Sequence, residues 1–221
     1  RWNCKLQKHG IAILIPAFNE EKTILKVCEE AQHFGQVTVI DDNSSDKTNI
    51  LLKANKYNYI RNDFKVGYEK SLINGIKYVL ENQKNIKYLI SLDADNELPP
   101  KNISTLLNLL EKEHIDIIVG QRNKLNRFTE YILNILFKFK FGISDPVSGF
   151  KVYKREVLEN IIQNVSKNLF LVDVLTMAFK KGYLVKNCKI HVNKRSDSSR
   201  VGSYYKIKLK IIKIITHVLS A

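Results

Sequence analysis

The chain has 221 residues, 44% of them hydrophobic, enough for one large α/β domain with a substantial core. Lys and Arg total 36 against 22 Asp and Glu, so the formal charge is +14 and an anionic partner is expected: nucleic acid, acidic lipid or a phosphorylated substrate. Cys4, Cys28 and Cys188 are too scattered for a disulfide framework or a thiolate metal site, no apolar run approaches the roughly 18 residues of a membrane span, and RWNCKLQKHG lacks a signal-peptide core, so a cytoplasmic protein, soluble or peripheral, is expected.

Ile11 to Ile15 is an apolar run closed by Pro16 and reads as the first strand of a parallel sheet, followed by the loop Ala17-Phe18-Asn19-Glu20. From Glu21 to Phe34, Ile24, Val27, Cys28 and Ala31 recur at helical spacing, with Gly35 as the stop. Val37 to Ile40 is a second strand that ends in Asp41-Asp42, and Asn43-Ser44-Ser45 is expected to cap a helix running through Tyr57. Paired acids at a strand end either recognise a nucleotide or merely solvate a turn. Tyr59 to Arg61 reads as a short third strand. Beyond it, Gly67, Ser71 and Gly75 stand four apart, a spacing that suits close packing of one helix face better than phosphate binding.

Tyr88 to Leu92 reads as a buried strand that delivers Asp93 and Asp95 to its carboxyl end before Pro99-Pro100 opens a helix running to Lys112. Open α/β sheets bind ligands at that edge, and hard oxygen ligands suit Mg²⁺ or Mn²⁺; the alternative is a polar, turn-forming strand exit. Ile115 to Val119 is a further strand, ending in Gly120-Gln121-Arg122. The repeated alternation argues for a mostly parallel, doubly wound sheet.

Tyr131 to Phe141 reads as a core helix or as one lying against a membrane or lipid chain. In the loop from Gly142 to Gly149, Asp145, Pro146 and Ser148 supply turn chemistry around a carboxylate that could also be catalytic. Helices follow at Lys154 to Ile162 and Leu169 to Lys181, the latter carrying Asp173, and Leu184 to Val192 is the last strand. Arg195 and Arg200 then sit in a polar loop that either clamps phosphate or is simply solvated. The closing KIKLKIIKIITHVL reads by length as a basic amphipathic helix, suited to an anionic membrane or to docking on the domain.

Taken together, IPAFNEEKTI, VIDDNSSDKT, SLDADNELPP, DPVSGFKVYKREVL and SRVGS resemble the family-2 glycosyltransferases, in order from about Ile11 to about Tyr205. The likeness is greatest to the dolichyl- or polyprenyl-phosphate mannosyl- and glucosyltransferases. It implies an α/β fold of the GT-A, nucleotide-diphospho-sugar transferase type: a mostly parallel, Rossmann-like sheet flanked by helices. The catalytic domain would span residues 1–203, with a C-terminal basic amphipathic segment over 204–221.

By the same resemblance, Pro16, Ala17, Asn19, Glu20 and Asp42 line the nucleotide pocket, with Asp93 beside it. Asp93 and Asp95 form the acidic metal motif, Asp95 being the principal ligand to Mg²⁺ or Mn²⁺. Arg122, Arg200 and Arg127 occupy places used on phosphate. Asp145, Ser148 and Gly149 match the acceptor-side loop, and Ser203 is the late serine. The chain departs from relatives at Glu97, where Gln is usual and a third carboxylate joins the metal pair. It departs again at Tyr68 and Glu69, where a second glycine is usual, and at Tyr204, where lysine is usual.

The implied reaction is metal-dependent, inverting transfer of a hexose from GDP-mannose or UDP-glucose to polyprenyl phosphate at the cytoplasmic face of a membrane, with a membrane-anchoring subunit as a candidate partner. Transfer to a saccharide hydroxyl in lipopolysaccharide or capsule assembly is the alternative. A lipid phosphate is already an anion, whereas a hydroxyl would need a carboxylate such as Asp145 to take its proton, which makes Asp145 diagnostic. Nucleic-acid binding is not expected, because the aromatic residues lie in apolar runs rather than interleaved with a basic stripe.

Overall fold

A computed structural model describes residues 10–125 and 127–193. The expectations for Arg195, Arg200, Ser203, Tyr204, the closing amphipathic segment and the boundary at 203/204 therefore concern residues outside those described.

The strands are β1 (Ile11–Ala17), β2 (Gln36–Asp41), β3 (Tyr59–Arg61), β4 (Tyr88–Ser91), β5 (Ile117–Gln121), β6 (Lys151–Lys154) and β7 (Val185–Lys189). The helices are α1 (Ile24–Ala31), α2 (Thr48–Ala54), α3 (Tyr68–Asn82), α4 (Asn102–Lys112), α5 (Phe128–Phe141), α6 (Arg155–Ile161) and α7 (Phe170–Lys180). The strands form one sheet in the order β3-β2-β1-β4-β6-β5-β7. β1 is buried along its whole length because it lies inside the sheet, parallel to β2 and β4. Register aligns Ala17 with Asp41 and Leu14 with Ser91, so the exits of these three strands open on one edge.

Alternation along the strands divides the core into two layers. Leu14, Ile40, Leu89, Ile117 and Tyr153 face α3, α5, α6 and α7, while Ile13, Ile15, Val39, Ile90 and Val152 face α1, α2 and α4. At Gly75 an added Cβ would lie 2.6 Å from Ile40 Cδ1 and 3.2 Å from a Leu14 methyl. The expected close packing is therefore present there, against side chains rather than backbone. Ser71 instead accepts a hydrogen bond from Asn62 Nδ2.

The sheet is mostly parallel, as the alternating pattern implied, but β6 runs antiparallel between β4 and β5. Lys151 pairs with both Ser91 and Val119, so β6 begins at the edge where β4 and β5 finish. The loop before it is thereby laid across the ligand edge. The sequence had suggested only a helix from Lys154; four residues, KVYK, are too short to carry a period of their own.

Candidate functional site

The loops after β1 and β2 are sewn together by short polar side chains. Asn19 N donates to Ser44 Oγ at 3.0 Å, Glu20 N to Thr48 Oγ1 at 2.8 Å, and Asn19 Oδ1 accepts from Ser45 N at 2.8 Å. The serines expected to cap α2 are used in this stitching instead, and Lys47, at the N-cap of the helix that starts at Thr48, makes no capping bond with its side chain. Asp46 Oδ1 takes up the Thr48 N–H at 2.9 Å. Asn19, Asn43, Asn96 and Asp145 all have φ between 52° and 59°, a left-handed conformation that Asn and Asp tolerate best, and all four lie at this edge.

Both acids at the end of β2 hold backbone. Asp41 accepts from Ser44 N at 3.0 Å and faces Arg61. Asp42 accepts from Asn62 Nδ2, Val66 N and Gly67 N at 3.0, 2.8 and 2.8 Å, and its own N–H donates to Ala17 O. Asp42 thus ties the start of α3 to the exit of β1. Gly67, with φ 94° and ψ 157°, occupies backbone space essentially reserved for glycine.

Asp93 follows β4 directly. Burial, then the charge of Asp95, push its carboxyl up to about 6. The Tyr68 hydroxyl is buried beside it without closing a hydrogen bond of regular geometry, and Asn96 Oδ1 is likewise buried and unbonded. Asp95 Oδ1 accepts from Glu97 N at 3.0 Å. Among the described residues no three His, Cys, Asp or Glu side chains cluster as a metal-holding set. Two repelling carboxylates beside unbonded polar atoms nevertheless fit a divalent cation that takes its remaining ligands from a diphosphate, as Mg²⁺ commonly does.

The loop before β6 forms the other wall. An alanine methyl at Gly149 would lie 2.6 Å from Asp93 Cγ and nearer still to both oxygens. Ser91 Oγ donates to Gly149 O at 2.7 Å and holds the approach. Arg122 Nε and Nη2 donate to the two oxygens of Asp145, each at 2.8 Å, and Arg122 N adds a third bond at 3.1 Å. Nη2 also reaches Glu130 Oε2 at 3.1 Å. Asp145 is 1% exposed. Burial alone would weaken the Arg122 charge, but the Asp145 bonds and the two carboxylate charges outweigh it and raise the pKa. Arg127 stands 3.8 Å from Glu130. A cavity of about 190 Å³ opens beside Arg122, Tyr131, Asn134 and Asp145.

Lys151 was not singled out from the sequence, where it reads as one more surface lysine. It is fully buried, with Nζ donating to Ser148 O at 2.5 Å. Burial pulls its ammonium down to about 7 against the opposing effect of Asp145, Asp93 and Glu69. Its only sequence signal was position, two residues past Gly149 in a motif already noted. A larger cleft, about 780 Å³, opens at the far end of the strands around Tyr88 and Lys154 and contains none of the expected site residues.

A sheet with this order, presenting two acids at the exit of β4 and a buried Arg–Asp pair opposite, has the GT-A architecture of glycosyltransferases. Residues 12–162 match glycosyl transferase family 2, and the chain belongs to that family. An uncharacterized protein of Methanocaldococcus jannaschii is 32% identical over 169 residues, 67% of this chain and 73% of the relative. The polyprenol monophosphomannose synthase of Mycolicibacterium smegmatis is 23% identical over 213 residues, 83% of this chain and 77% of that one. In fold, the chain is similar to the glucosyl-3-phosphoglycerate synthase of Mycobacterium tuberculosis. The complex of that protein with phosphoglyceric acid superposes with TM-score 0.73 at 18% identity, covering 95% of this chain and 79% of that one. Its complex with Mn²⁺, UDP-glucose and phosphoglyceric acid gives 0.72 at 19%, with 95% and 78% coverage.

Substitutions at three positions test this geometry. Gly149→Ala is expected to displace Asp93 and lower glycosyl transfer roughly 10²-fold, the scale set by a misplacement of about 1 Å, with circular dichroism unchanged. Arg122→Met strands a buried carboxylate and is expected to cost about 3–5 kcal/mol in urea unfolding, with Arg122→Met/Asp145→Asn more stable than the single variant.

Proposed function

We propose that this family-2 glycosyltransferase moves a hexose, with inversion, from GDP-mannose or UDP-glucose to polyprenyl phosphate. The observation that carries the acceptor assignment is the state of Asp145: Arg122 already bonds both of its oxygens. A hydroxyl acceptor needs a carboxylate available to take its proton, and a phosphate acceptor does not. The name of the M. smegmatis relative supports the same acceptor, and the M. tuberculosis complexes support a nucleotide-sugar donor and a divalent ion.

In this reading the loop of Pro16, Ala17, Asn19 and Glu20, steadied by Asp42, holds the nucleotide. Asp93 and Asp95, with Glu97 alongside, hold Mg²⁺ or Mn²⁺. That ion, when bound, neutralises charge on the departing diphosphate. Arg122, Arg127, Ser148 and Gly149 shape the acceptor side. Asn193 N donates to Glu97 O at 2.9 Å and Asn193 Nδ2 to Asn96 O at 3.0 Å, which ties the segment after β7 to the acidic turn.

A phosphate oxygen of the acceptor forms the new bond to the anomeric carbon as the bond to the diphosphate breaks from the opposite face. The electron pair leaves with the nucleoside diphosphate, and no proton has to move. The reaction belongs, in this reading, at the cytoplasmic face of a membrane, with a membrane-anchoring subunit as a further partner.

Radiolabelled GDP-mannose and UDP-glucose, each incubated with polyprenyl phosphate with and without Mn²⁺, test the proposal. Metal-dependent labelling of the lipid from one donor, abolished in Asp95→Ala, is expected. Slow metal-dependent hydrolysis of a donor without labelled lipid would move the acceptor to a saccharide hydroxyl.

A further inference from the structure

Helix α5 has two apolar faces. The inner one, Leu133 and Phe137 with Phe141, packs on the core, where Phe141 stacks on Phe179 of α7 at 4.5 Å between ring centroids. On the outer one, Phe128, Tyr131, Ile135 and Phe139 are 78%, 44%, 68% and 93% exposed. At 3.6 residues per turn those four fall within about 80° of arc, opposite the inner face. Singly scattered apolar residues need no explanation, but a continuous stripe of four large ones does.

The surroundings of the stripe are basic. Lys138 and Lys140 lie exposed on its two flanks, and Lys124 is exposed just before the helix. The one acid of α5, Glu130, is turned inward onto Arg122 and Arg127. We infer that this face of α5 docks on an anionic lipid surface, the aromatic and aliphatic side chains entering the acyl boundary and the lysines meeting head groups. Charge complementarity favours lipid over a second copy of this chain, whose matching face would bring lysines against lysines. Tyr131, at one margin of the stripe, also lines the cavity beside Arg122 and Asp145, so an anionic head group in the docked bilayer would be presented to that cavity. The inference extends the polyprenyl-phosphate reading and is tested apart from it.

The test is co-sedimentation of the full chain with vesicles of phosphatidylcholine alone and of phosphatidylcholine with phosphatidylglycerol, for wild type and for Ile135→Ser/Phe139→Ser. Both positions face solvent, so the fold is expected to be unchanged by circular dichroism. Wild type is expected to bind the mixed vesicles and the variant to bind at least about tenfold more weakly, the effect of exposing two apolar side chains. Equal binding of the two proteins would overturn the inference and assign any membrane contact to another segment. Absence of binding by wild type would overturn it as well, as would a wild-type dimer that the variant dissolves in sedimentation equilibrium. Metal-dependent hydrolysis of a nucleotide sugar in vesicle-free solution, measured on both proteins, reports the donor site independently. Stripe-dependent vesicle binding without lipid labelling would leave the docking face standing and remove the acceptor reading.

Discussion

No side chain larger than hydrogen can stand at Gly149, because the Asp93 carboxylate occupies the space that a Cβ would need. That contact sets the geometry of the whole edge. It exists because β6 runs against its neighbours and starts where β4 ends, so the loop before it has to cross the exit of β4. Ser91 Oγ, between Gly149 O and Lys151 N, locks the two strands at this point. A parallel strand in the same place would carry its preceding loop to the opposite edge, and Asp145 would stand far from Arg122 and from the acidic turn.

The charges at this edge fall into two groups with opposite needs. Around Asp145 every acid has its cation, since Arg122 spans Asp145 and Glu130 and Arg127 adds a weaker contact. Around Asp93 the acids repel, and burial pushes Asp93 up. Lys151 lies between the groups, its ammonium donating to the Ser148 carbonyl while its charge acts on Asp93 and Asp145 alike. A diphosphate with its cation would meet the need on the Asp93 side. An acceptor that brings its own negative charge would make no demand for a base on the Asp145 side.

Much of this was legible in the sequence wherever a strong local pattern coincided with a strand exit. The runs ending at Pro16, Asp41 and Asp93 located β1, β2 and β4, and the five ordered motifs pointed to the family. β6 was hidden because its four residues carry no period, and Lys151 because nothing local marks a lysine as buried. Pairings between distant elements were also out of reach. Ser44 and Ser45 look like helix caps until the β1 loop is brought against them, and Arg122 looks like a free phosphate ligand until Asp145, 23 positions on, is folded onto it. The double character of α5 was half visible: its apolar richness was plain, but the division into inner and outer faces depends on where α7 lies.

The most direct test of a site that needs no acceptor-side base is the steady-state kinetics of Asp145→Asn on polyprenyl phosphate, compared with wild type at matched folded fraction. The amide preserves shape and one acceptor for Arg122 while removing the ability to take a proton. Turnover within about tenfold of wild type is expected, since general-base catalysis is worth roughly 10²–10⁴-fold where it operates. A loss in that larger range, with KM for the acceptor unchanged, would contradict it and make Asp145 the base.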